Sequence, residues 1–105
     1  MTKMFRSQMV LAIAFSLASA ACVAQSSGEA TYKAKCQMCH GATGTPSAGM
    51  AKAMGIKPTS DPAIKGLTVA QVETAVKAGK GKMKPVAGLT DAQVKDVSAY
   101  FHSLK

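Results

Sequence analysis

The 105-residue chain predicts an all-α fold with three main helices. Three observations support this. Apolar residues recur at helical spacing behind two Thr-x-x-Gln pairs of the kind that open helices. No stretch alternates apolar and polar residues as a half-buried strand does. Tryptophan is absent, with only 3 Phe and 2 Tyr, so the helices must share a thin core. A domain of roughly 80 residues, which is what remains once an N-terminal segment is set aside, stands at the limit of what side chains alone can hold together. Something besides side chains is therefore expected to supply buried apolar surface.

In the N-terminal segment, Lys3 and Arg6 precede an apolar run from Met9 to Ala21, and small and polar residues follow. This is the layout of a secretory signal peptide. The run is shorter than the roughly 20 residues needed to cross a bilayer, which favours export and removal over anchoring. The expected division is a signal segment over 1–24 and one functional domain over 25–105. Ala18-Ser-Ala20 and Cys22-Val-Ala24 both offer small residues where a signal peptidase cuts. The fate of Cys22 turns on that choice, and a lipoprotein signal would acylate it, although Ser19 stands where such signals usually carry a larger aliphatic residue.

The first helix is expected to open at Ser26-Ser-Gly-Glu29, a capping-box pattern, and to run through Lys35 into a cysteine motif. The second opens at Thr68-Val-Ala-Gln71, sets Val69, Val72 and Val76 on one face, and stops at Gly79. The third opens at Thr90-Asp-Ala-Gln93 and carries the stripe Val94, Val97, Phe101 and Leu104, with Tyr100 beside it. Between His40 and Leu67 the composition turns to Gly, Pro, Ser and Thr, leaving at most a helical turn around Met50 to Met54. That segment is too long to be idle in so small a domain. Gly79 to Pro85 reads as a second loop, with no periodicity.

The motif Cys36-Gln37-Met38-Cys39-His40 concentrates the chemistry. A structural zinc site needs four ligands, and adjacent Cys39 and His40 are poorly placed to share one tetrahedral ion. A redox dithiol normally begins a helix after a strand, whereas this pair ends a helix in a chain without strands. A disulfide across so few residues would constrain the unfolded chain little. The remaining possibility is covalent haem, for which Cys-x-x-Cys-His is the known attachment signature. The two thiols lie about a turn apart, within reach of one porphyrin, and the following imidazole projects at its iron. A macrocycle would also supply the apolar surface that the side chains lack.

Charge narrows the partners. The chain carries 13 Lys+Arg against 5 Asp+Glu, and apart from Arg6 every basic residue is a lysine. Nucleic-acid interfaces favour arginine for its bidentate reach, so an acidic protein, or the face of an anionic membrane, fits better.

From Ser26 to Lys105 the chain resembles a small bacterial class I c-type cytochrome. The resemblance rests on Gly28 and Tyr32, the motif at 36–40, "CHGATG" after it, a methionine loop, and a final helix carrying "AYF". It implies the class I cytochrome c fold: three main helices wrapped around one covalently attached haem, the first and last crossing at Gly28, Tyr32 and Tyr100. It also implies haem c on Cys36 and Cys39, with His40 as proximal iron ligand and Met83 as distal ligand. Pro46 is the nearest candidate to accept the His40 Nδ1 proton, as well as an ordinary turn proline. Met50, Met54 and Lys82 are further candidates for the haem shell. His102, one position past Phe101, is expected to face solvent. The family's commonest form places proline directly after the methionine; here Lys84 intervenes before Pro85.

The implied function is that of a periplasmic one-electron carrier, a non-enzyme, shuttling between respiratory complexes or dehydrogenases and a terminal oxidase. Lys80, Lys82, Lys84, Lys33, Lys35 and Lys52 would steer a monomer into transient contact with acidic redox proteins or membrane oxidoreductase complexes, with peripheral membrane contact as a further option and no role for nucleic acid. Two alternatives stand beside it: a ligand sensor or weak peroxidase if Met83 is labile, and a membrane-tethered module of a larger complex if Cys22 is acylated.

Overall fold

The computed structural model describes residues 25–104. The expected signal segment with its two expected cleavage sites, Cys22 and Lys105 lie outside the described residues. Helices occupy residues 25–35 (α1), Gln37–His40 (α2), Ala48–Met54 (α3), Pro62–Lys65 (α4), Val69–Ala78 (α5) and Asp91–Ser103 (α6). Among the described residues the only extended pairing is an isolated antiparallel bridge between Lys80 and Met83. The fold is all-α, and α1, α5 and α6 are its three main helices.

The two Thr-x-x-Gln pairs close their boxes as expected. Thr68 Oγ1 accepts from the Gln71 amide at 3.1 Å while Gln71 Oε1 accepts from the Thr68 amide at 2.8 Å. Thr90 and Gln93 repeat the arrangement at 3.1 and 2.8 Å. Each box satisfies two amides that a helix start leaves without intrahelical partners.

The expected box at Ser26 does not form. Residue 25 is already helical, so Ser26 and Glu29 stand inside α1. Glu29 instead pairs with Lys33 one turn on, at 3.0 Å, an exposed contact worth a few tenths of a kcal/mol.

The loop-like stretch between His40 and Leu67 holds more helix than its composition suggests. Ser47 accepts from the Met50 amide at 3.3 Å and opens a seven-residue α3. The Asp61 carboxylate accepts from the Ala63 amide at 2.9 Å, and Pro62 occupies the first turn of α4. Such short helices begin on local caps, and proline suits a first turn because its missing N–H would be unpaired there anyway. Neither is long enough to show a period.

The core has two centres joined by α6. In one, Val72 and Val76 of α5 meet Val94 of α6, with Leu67, Met83, Val86, Leu89 and Phe101 packed around them. In the other, α1 crosses α6. Tyr32 is fully buried there, 5.3 Å from the Tyr100 ring and 6.3 Å from Phe101. A β-carbon on Gly28 would collide with the Asp96 carbonyl oxygen and lie 2.9 Å from Tyr100 Cβ. Glycine is what lets the two backbones approach so closely.

Ser98, which sequence periodicity passed over, completes the inner face of α6 with Val94, Val97 and Phe101 and is fully buried. Its Oγ has no hydrogen-bond partner among the described residues. The buried apolar side chains of the described chain are Tyr32, Val72, Val76, Val94 and Val97. This core is as thin as the composition predicted.

Candidate haem site

The motif occupies a single turn at the end of α1. Cys36 caps α2, and its carbonyl accepts from the Cys39 amide at 3.2 Å and the His40 amide at 2.9 Å. Gly41 ends the turn at φ 80°, where a β-carbon would strike the Thr45 carbonyl oxygen. The chain therefore folds back on the motif and sets Pro46 N 3.3 Å from that β-carbon position, which draws Pro46 to the motif's flank. Tyr32 OH donates to the Gly41 carbonyl at 2.5 Å, pinning the residue after His40 to α1. Burial, and then the neighbouring Cys36 and Tyr100, push the Tyr32 hydroxyl up to about 12, so it remains a donor at any ordinary pH.

Within the turn, Cys36 and Cys39 are free thiols and half-buried. Burial, with Cys39 beside it, pushes the Cys36 thiol up. Redox dithiols are reactive because their thiol is shifted the other way. Among the described residues no group of three or more His, Cys, Asp or Glu is placed to hold a metal ion. Met38 projects outward at 89% exposure and acts as a spacer.

The His40 ring stands edge-on to Phe101, centroids 5.4 Å apart at 70°. Burial holds its pKa below the usual histidine value. The imidazole is thus neutral at physiological pH, with a lone pair free to bind a metal.

Met83 sits in the loop between α5 and α6. Its amide donates to the Lys80 carbonyl at 3.0 Å and its carbonyl accepts from the Lys80 amide at 2.9 Å. Between them Gly81 has φ 58°, the positive value that a tight hairpin turn asks of its first central residue. The Val86 amide donates to the Val76 carbonyl at 2.9 Å and fastens the far end of the loop to α5. Met83 packs on the Val72, Val76 and Val94 cluster, as does Phe101. Phe101 is therefore the common neighbour of the His40 side and the Met83 side.

The other expected shell residues lie on α3 or beside it. Met50 is half-buried, whereas Met54 is 37% exposed. Lys82 is exposed and its Nζ donates to the Ala53 carbonyl at 3.2 Å. His102 departs from expectation: it is half-buried and lines a shallow cleft with Thr59, Ile64, Lys65, Val72 and Phe101. Near the end of α6 the polar side of the helix turns toward α4, which helical phase alone does not register.

Three contacts of the site went unread in the sequence: the Phe101 edge on His40, the Tyr32 bond to Gly41, and the Lys82 bond to Ala53. The first two join residues whose roles as core aromatics were legible but whose partners were not. Nothing near Lys82 signals the third.

Two free thiols and a neutral imidazole on one turn, a thioether packed on the valine cluster, and Phe101 packed on both that cluster and His40 form a donor set that fits a covalently held haem. Fold and donor set together define a small c-type cytochrome. The chain belongs to the family described as cytochrome c oxidase, cbb3-type, subunit III, whose family model matches residues 23–101. Membership brings covalent haem c with its iron and makes the chain an electron-transfer haem protein. Neither a curated protein nor a solved structure matches it.

Proposed function

We propose that this chain is a periplasmic one-electron carrier, exported behind its 1–24 segment, with haem c bonded to Cys36 and Cys39 and ligated by His40 and Met83. The observation that carries this is the pairing through Phe101: the His40 ring packs against Phe101, and Met83 packs on the same valine cluster as Phe101. When bound, the haem supplies a one-electron iron couple, whose potential Met/His ligation raises.

The chain's own residues supply the rest. Tyr32 and Gly41 hold the motif turn, burial keeps His40 neutral, and the Lys80–Met83 pairing presents the thioether. Pro46, Met50, Met54 and Lys82 are the candidates to line the haem. Held by His40 and Met83, the iron would have no coordination position left for a substrate, which suits electron transfer rather than catalysis.

Lys35, Lys52, Lys80, Lys82 and Lys84 are all exposed and favour brief encounters with acidic redox proteins. The family's description as an oxidase subunit supports a respiratory oxidase complex as one such partner. The same description also suits a second form, a module of that complex, which acylation of Cys22 would tether to the membrane. Mass spectrometry of the native N-terminus separates the two.

The test is a visible and near-infrared spectrum of the exported protein, with peptide mass mapping. A haem c spectrum and one haem on the Cys36–Cys39 peptide are expected. Absence of both overturns the assignment, while a missing methionine-to-ferric-iron band overturns Met83 alone.

A further inference from the structure

We propose that Lys82 is a positioning residue that clasps the Met83 loop shut by donating its ammonium to the Ala53 carbonyl, and so sets how readily Met83 lets go. The inference rests on Met83 being the distal ligand as proposed above.

The loop's other fastenings all lie on one side. The Lys80–Met83 bonds are internal to its tip, and the Val86–Val76 bond ties its far end to α5. Gly79, at the near end, lies so close to Met83 and Pro85 that a β-carbon would sit 2.7 Å from the Met83 carbonyl oxygen. None of these reaches the α3 side. Among the described residues, the hydrogen bond that does so is that of Lys82, to a residue 29 positions away.

Its acceptor is suited to the task. Ala53 lies in the last turn of α3, where carbonyls have no intrahelical partner and favour a cation. A β-carbon on Gly81 would meet nothing within 4 Å, so beyond its own Lys80–Met83 bonds the tip has no close packing at that residue. By contrast, Lys80 and Lys84 make no side-chain hydrogen bond or ion pair among the described residues. Lys84 is therefore a charge-matched control on the other flank of Met83. The clasp is a single exposed bond from a charged donor, so its loss should raise loop opening by a factor of about three to five.

Imidazole titration of the ferric holoprotein reads this opening, because imidazole binds only when the sixth position is released. Amide hydrogen exchange at Met83 reads the loop itself. In Lys82→Gln the apparent Kd for imidazole should fall about three- to five-fold and Met83 exchange should quicken by a similar factor. Lys84→Gln should match the wild type in both, and Lys82→Arg, which can still donate to the carbonyl, should restore both. Equal behaviour of Lys82→Gln and Lys84→Gln overturns the proposal. If the wild type lacks the methionine–iron band, Met83 ligation itself has failed; the exchange comparison then still decides whether Lys82 holds the loop.

Discussion

The His40 imidazole meets the Phe101 ring edge-on, with centroids 5.4 Å apart. This contact joins the single turn that carries the haem-attachment residues to the inner face of α6, whose other side chains build the core. Support for the motif thus comes from about sixty residues downstream in the chain.

Phe101→Ala should therefore cost both stability and order at the motif. Truncating a half-buried phenylalanine packed on the core should cost about 2 kcal/mol, below the range for a fully buried one, and chemical denaturation of the holoprotein should show a loss of that size. Phe101→Leu keeps the Val72–Val76–Val94 contacts without the aromatic edge and should lose less than half as much.

Gly28→Ala and Gly49→Ala should differ in sign. At Gly28 a β-carbon meets the Asp96 backbone, which cannot yield without parting α1 from α6, and such overpacking costs about 1–3 kcal/mol. At Gly49, in the helix α3, nothing lies within 4 Å of the same atom, so alanine should stabilise by about 0.5 kcal/mol through helix propensity. Thermal melts of the two variants check both directions.

Tyr32 makes stability depend on pH in the alkaline range. Its folded pKa is raised from 10.0 to about 12, so the native state favours the protonated phenol. That contribution is fully present below pH 10 and is lost as pH rises through 12. Melts of the wild type should fall across this window, and Tyr32→Phe should remove the part of the fall that comes from this phenol. At neutral pH the variant should be about 1 kcal/mol less stable, because the Gly41 carbonyl loses its donor.

Ser98→Ala should be neutral or stabilising. The buried hydroxyl has no partner among the described residues, and removing an unsatisfied polar group takes away a desolvation penalty. A loss above about 1 kcal/mol in denaturant unfolding would show that Oγ has a partner after all.

What could be read along the chain was whatever a few adjacent residues decide. The boxes at Thr68 and Thr90, the stop at Gly79 and the inner faces of α5 and α6 follow from spacings of three and four. The capping pattern at Ser26 misled because the same residues are equally at home inside a helix, where Glu29 and Lys33 pair. α4 was missed because four residues cannot show a period, although Asp61-Pro62 carries the cap-and-proline signal that marks its start.

The sequence by itself determined the helical class, the thin core, and the thiols and imidazole that make covalent haem the fitting partner, because each depends on residue type and short spacing. Tertiary structure alone decided that Phe101 backs His40, that Tyr32 pins Gly41, that Ser98 is buried and His102 half-covered, and that Lys82 reaches Ala53. The physical reason is distance along the chain. A hydrogen bond between residues 29 apart depends on how the intervening helices pack, and no local pattern encodes it.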